Sequence, residues 1–70
     1  MKPDESEKLI AVAGGNVKFA ELLGIQREPG YQQRVNNWKR RGIPAAVVLE
    51  HHDVFRTLSA AAAAQQQTAA

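Results

Sequence analysis

A short polar stretch, residues 32–41, carries side chains that can read the edges of nucleic-acid bases. In order they are Gln32, Gln33, Arg34, Val35, Asn36, Asn37, Trp38, Lys39, Arg40 and Arg41. Side-chain amides can pair bidentately with adenine, Arg can pair with guanine, and Lys or Arg can neutralise phosphate. The chemistry that these residue types offer is therefore hydrogen bonding to base edges and phosphates.

The same stretch has the pattern of a helix with a single buried edge. At about 100° per residue, Val35 and Trp38 lie on one edge of the helix, and they are its only large apolar side chains. Gln33, Asn36 and Asn37 then face the opposite side, whereas Gln32 lies toward a flank. Trp38 could instead stack on a base, but its spacing from Val35 favours a place in the core.

Positive charge is concentrated around this helix. The chain has a net charge of +2, yet residues 25–44 hold five cations against one acid, a net +4, while both flanks carry −1. Such a stripe is typical of a polyanion partner, although a solvated basic face is the alternative. The candidate phosphate contacts are Arg27, Arg34, Lys39, Arg40 and Arg41.

The flanking sequence predicts an all-α domain of four helices, possibly five. Asp4 is followed by an acid three residues later, which predicts the cap of a first helix that the glycines at 14 and 15 end. Asn16 is the candidate cap of a second helix, which ends at Gly24. Pro29 and Gly30 predict a turn before the helix at 32–41, and a fourth helix follows Pro44.

The apolar pattern predicts the core, a partner-facing surface and a tail. The expected core residues are Val12, Phe19, Ala20, Leu23, Ile25, Val35, Trp38, Ile43, Val48 and Leu49. Val54, Phe55 and Leu58 are expected to face a partner, with a homodimer formed from the fourth helix onward. Residues 1–58 are predicted to be the folded domain, and 59–70, rich in Ala and Gln, a frayed helix or disordered tail.

Composition argues against several classes of function. The chain has no cysteine, and the neighbouring His51 and His52 point about 100° apart on a helix, so no metal site is expected. There is no paired-carboxylate or nucleophile motif, so we expect neither an enzyme nor a cofactor or small-molecule substrate. No apolar run is long enough for a bilayer, and we expect a cytoplasmic, nucleoid-associated protein.

Several positions together resemble the helix-turn-helix of the phage Cro and repressor proteins. Ala20 precedes the turn glycine Gly24 by four residues, as a small residue does in that family. Val35 and Trp38 match the inward positions of its recognition helix. The similarity covers about residues 14–49. The turn between the two helices is longer than in that family, and the additional residues lie near 26–30.

The resemblance implies a lambda-repressor-like fold and a sequence-specific regulator of phage or prophage type that binds a double-stranded operator. It places Gln32, Gln33, Asn36 and Asn37 on base-reading positions of the recognition helix. Arg27, in the longer turn, would add a phosphate contact.

Two other function classes fit the sequence. One is an antitoxin that also represses its own operon and binds its toxin through the region after Asp53. The other is a helical protein-interaction module whose basic stripe meets an acidic protein. A module of that kind would show no preference among duplex sequences, even at low salt.

Overall fold

The computed structural model describes the backbone of residues 1–69 and the side chains of residues 1–65. It contains five helices, α1 (Pro3–Ala13), α2 (Asn16–Leu23), α3 (Tyr31–Arg41), α4 (Ala45–Glu50) and α5 (His52–Ala69). No strand occurs within residues 1–69. The predicted all-α bundle is therefore confirmed, with the larger of the two expected helix numbers.

The glycine that ends α2 does so through a paired set of backbone hydrogen bonds. Gly24 adopts φ +74°, where an L side chain is strained. Its N–H donates to the Glu21 carbonyl at 3.1 Å, and the N–H of Ile25 donates to the Ala20 carbonyl at 3.0 Å. This is the Schellman arrangement, and it turns the chain out of the helix at the predicted place.

Both predicted side-chain caps are wrong. The first helix begins at Pro3 rather than after Asp4, because proline lacks the N–H that the first helical position would leave unpaired. The second helix has Gly15 at its cap position, with Asn16 already inside the helix. The side chain of Asn16 is thereby free to reach another element.

Phe19 lies at the centre of the core. Its ring meets Trp38 edge-on, with centroids 6.2 Å apart and planes at 81°, and meets Phe55 in the same way at 5.9 Å and 79°. Edge-to-face packing is a favoured arrangement of aromatic rings. The buried apolar residues are Leu9, Ile10, Phe19, Ala20, Leu23, Val35, Trp38, Ile43, Phe55, Leu58 and Ala62.

The apolar residues of the C-terminal half exchange the roles that the sequence predicts for them. Leu49, expected in the core, is 75% exposed. Phe55 and Leu58, expected to face a partner, are buried, and Val54 is half-buried. The reason is that the backbone of His51 leaves the helical conformation, so α4 ends after six residues and α5 begins at His52. The spacing of apolar residues along α4 therefore does not continue as one helical face into α5. Val12, Ile25 and Val48 are half-buried against the core.

The helix α5 continues past the predicted domain boundary. It runs without a break through Ala69, and Ala62 is buried in the core cluster. Small side chains there let α5 pack closely against α1. The predicted tail thus begins as a helix that packs on the core through Ala62, while the side chains of residues 66–70 and the backbone of residue 70 lie outside the described part.

Candidate nucleic-acid interface

The helix α3 has one buried edge and one exposed amide face. Val35 is fully buried and Trp38 is 9% exposed. All four amide residues predicted to read bases are exposed, and they are Gln32, Gln33, Asn36 and Asn37. The outward direction predicted from helical period for three of them is confirmed, and Gln32 is exposed as well.

Helices α1 and α2 both pack against α3. The segment that follows α3 is also tied to α1, because the N–H of Ile43 donates to the Ser6 hydroxyl at 2.9 Å. Gly42, at φ +100°, leaves no room for a side chain, since a Cβ there would collide with the carbonyl of Met1. The Met1 amine donates to the Ile43 carbonyl at 3.1 Å. Sequence reasoning missed this role of α1, although Ser6 precedes Leu9 and Ile10 by three and four residues and so shares their face of the helix.

Two consecutive turns order the longer connection between α2 and α3. The N–H of Glu28 donates to the Ile25 carbonyl at 3.0 Å, and the N–H of Tyr31 donates to the Glu28 carbonyl at 3.3 Å. The second turn has Pro29 followed by Gly30 at φ 75°, ψ 15°, as in a type II turn. The prediction of a turn at this dipeptide is confirmed.

Two of the exposed amides already have side-chain partners. Asn16, on the first turn of α2, donates from Nδ2 to Oδ1 of Asn36 at 2.7 Å. Gln32 donates from Nε2 to the Tyr31 hydroxyl at 3.3 Å. Gln33 and Asn37 have no side-chain hydrogen bond to any other residue in the described part of the chain. On the amide face, the side chains of Gln32 and Asn36 are thus oriented by hydrogen bonds within the protein, whereas those of Gln33 and Asn37 are available to a ligand.

The five predicted phosphate contacts fall into two groups. Arg34 pairs with Glu28 at 3.4 Å and lines a groove that Glu50 also borders, so its charge is partly offset. Arg27, Arg40 and Arg41 are exposed and Lys39 is half-buried. These four make no ion pair within residues 1–65. The free charge therefore lies in the turn and at the C-terminal end of α3.

Neither a metal-binding cluster nor a membrane-spanning helix occurs in the described residues. They hold no group of three or more His, Cys, Asp or Glu side chains placed to bind a metal ion. Among the described helices, none combines the length and apolar character needed to cross a membrane. Within residues 1–65, the amide face of α3 groups exposed hydrogen-bonding side chains on one helix surface.

Comparison with known proteins gives no family for this chain. No family model matches the sequence, and no curated protein or solved structure is significantly similar. Any functional conclusion consequently depends on the geometry of α3 and its surroundings.

Proposed function

We propose that the chain is a sequence-specific regulator of transcription that binds double-stranded DNA through the amide face of α3. The observation that carries the proposal is the exposed row of four amides on a helix whose opposite edge is buried by Val35 and Trp38. A helix anchored on one side and polar on the other can enter the major groove and present its amides to base edges.

The charges around α3 support the same proposal. Arg27, Lys39, Arg40 and Arg41 have no acidic partner within residues 1–65, so phosphates can neutralise them at little loss of internal pairing. Phosphate contacts fix the position of a protein on DNA, while base contacts select the sequence. The Cro-like resemblance is part of this proposal, as is a cytoplasmic, nucleoid-associated location.

A homodimer through α4 completes the proposal. Leu49 is 75% exposed and borders a shallow groove with Ala45 and Val48. A two-fold dimer would bury this leucine and place two copies of α3 about one helical turn of DNA apart.

Selection from a random duplex library with the full chain tests the proposal, followed by fluorescence anisotropy at two salt concentrations. We expect one recovered motif, bound about a thousandfold or more tighter than random duplex. Gln33→Ala should weaken the preference, whereas Gln26→Ala, which changes an exposed glutamine of the turn, should leave it intact. No enrichment of any sequence would overturn the proposal and favour the helical protein-interaction module.

The antitoxin alternative stays a prediction as well. Its distinguishing property is a second protein partner for the region after Asp53, in addition to operator binding.

A further inference from the structure

The hydrogen bond between Asn16 and Asn36 restricts what Asn36 can offer to a ligand. The Nδ2 group of Asn16 donates to Oδ1 of Asn36 at 2.7 Å, joining the start of α2 to the exposed face of α3. A side-chain amide is planar, with its oxygen and nitrogen on opposite branches of one carbon. Because Oδ1 of Asn36 is directed at Asn16, the Nδ2 group of Asn36 is directed away from it. That group has two N–H donors and no acceptor.

The environment of Asn16 determines which way this bond runs. Oδ1 of Asn16 is buried and has no hydrogen-bond partner in the described part of the chain. Reversing both amides would bury the NH2 group of Asn16 without a partner instead. Proteins leave buried N–H donors unpaired less often than carbonyl oxygens, so the observed direction is the less costly one. Asn16 is therefore the donor of this hydrogen bond, and Oδ1 of Asn36 is its acceptor.

We propose, resting on the DNA-binding function above, that Asn16 is a positioning residue that makes Asn36 a donor-only reader of one base pair. A free asparagine pairs bidentately with adenine, donating to N7 and accepting from the N6 amino group. With its oxygen held by Asn16, Asn36 offers only N–H donors and selects a base with acceptors on its major-groove edge. Guanine presents two such acceptors, N7 and O6, adenine and thymine present one each, N7 and O4, and cytosine presents only its N4 amino donor. The expected specificity is guanine first, adenine or thymine next, and cytosine last.

Asn16→Asp inverts the hydrogen bond and so tests the proposal. A carboxylate only accepts, so Asn36 must turn its Nδ2 toward residue 16 and its oxygen outward. We expect a preference of about tenfold for guanine over cytosine in the unaltered chain, and a preference for adenine or cytosine over guanine in the variant. The base pair concerned is first located with Asn36→Ala, which should abolish the preference at that position alone.

Two further variants keep the test decisive. Asn16→Ala removes the donor without adding charge, so it should lower the preference at this base pair, and it should have no such effect when Asn36 is already alanine. Val17→Ala alters the neighbouring exposed residue and should preserve the preference. Thermal unfolding of each variant verifies that it is folded. If Asn16→Asp does not fold, Asn16→Ala alone provides the test.

The possible outcomes separate this inference from the proposed function. If the unaltered chain selects a sequence but Asn16→Asp and Asn16→Ala weaken binding to all sequences equally, the positioning role is overturned and the regulator proposal stands. If the unaltered chain selects no sequence, both fail. A switch of base class at the Asn36 position alone supports the inference.

Discussion

Ser6 and Ile43 are joined by a buried hydrogen bond that crosses 37 residues of sequence. The hydroxyl of Ser6 accepts from the N–H of Ile43 at 2.9 Å and donates to the carbonyl of Lys2, also at 2.9 Å. Ser6 is fully buried, so water does not replace either partner. Since Ile43 lies two residues after Arg41, the last residue of α3, this bond ties the end of the amide-bearing helix to α1.

Ser6→Ala should lower the free energy of unfolding by about 1–3 kcal/mol, because the Ile43 N–H would be left buried and unpaired. Chemical denaturation monitored by circular dichroism measures the change. Ser59→Ala is the matched control, since Ser59 is exposed on α5 and its replacement should leave stability nearly unchanged. Equal effects of the two substitutions would contradict the role given to Ser6.

Gln33→Ala should cost about 1–3 kcal/mol of binding at one base pair of the selected site and relax the preference there. The physical reason is that Gln33 is exposed on the amide face and has no side-chain partner in the described residues. Fluorescence anisotropy with the selected duplex and its single-base variants measures this loss of binding free energy. A loss of the same size on random DNA would argue against base reading by Gln33.

Arg41→Ala should weaken binding to all duplexes and reduce the slope of log K against log salt by about one. Arg41 is exposed and makes no ion pair within residues 1–65, so its full charge is available to a phosphate. Arg34→Ala should change the slope less, because Arg34 already pairs with Glu28. Titrations at several salt concentrations compare the two, and an unchanged slope for Arg41→Ala would exclude a phosphate contact there.

Leu49→Lys should convert a dimer into a monomer, since a charged side chain would replace the most exposed large apolar residue of the described chain. Sedimentation equilibrium at micromolar concentration measures the mass. Val17→Lys makes the same change on α2 and should keep the dimer. If the unaltered chain is already monomeric on its own and on a selected duplex, the α4 interface is wrong.

Local sequence rules were sufficient for the elements around the candidate site. The three-residue spacing of Val35 and Trp38 determines the buried edge of α3 directly, because nothing interrupts that helix. Gly24 and the Pro29–Gly30 pair mark their turns through backbone conformations that few other residues adopt. These features depend only on neighbouring residues.

Features that depend on contacts across the chain were beyond such rules. The six-residue α4 is too short to reveal a period, so the break at His51 hid the exposure of Leu49 and the burial of Phe55. Asn16 satisfies every local rule for a cap, yet its side chain bonds to Asn36 on α3. The packing of Phe19 against both Trp38 and Phe55 likewise requires the folded arrangement.

In the connection between α2 and α3, the length of the loop can change without a change in the packing of α3. Its first hydrogen bonds end α2, its two turns are closed by the bonds that join Ile25, Glu28 and Tyr31, and α3 packs against both α1 and α2. We therefore expect an insertion within the exposed residues 26–27 to alter the surface of this connection while leaving the Glu28–Arg34 pair and the packing of α3 in place. This connection is a site where a reporter group or an additional basic residue can be inserted without redesigning the reading surface.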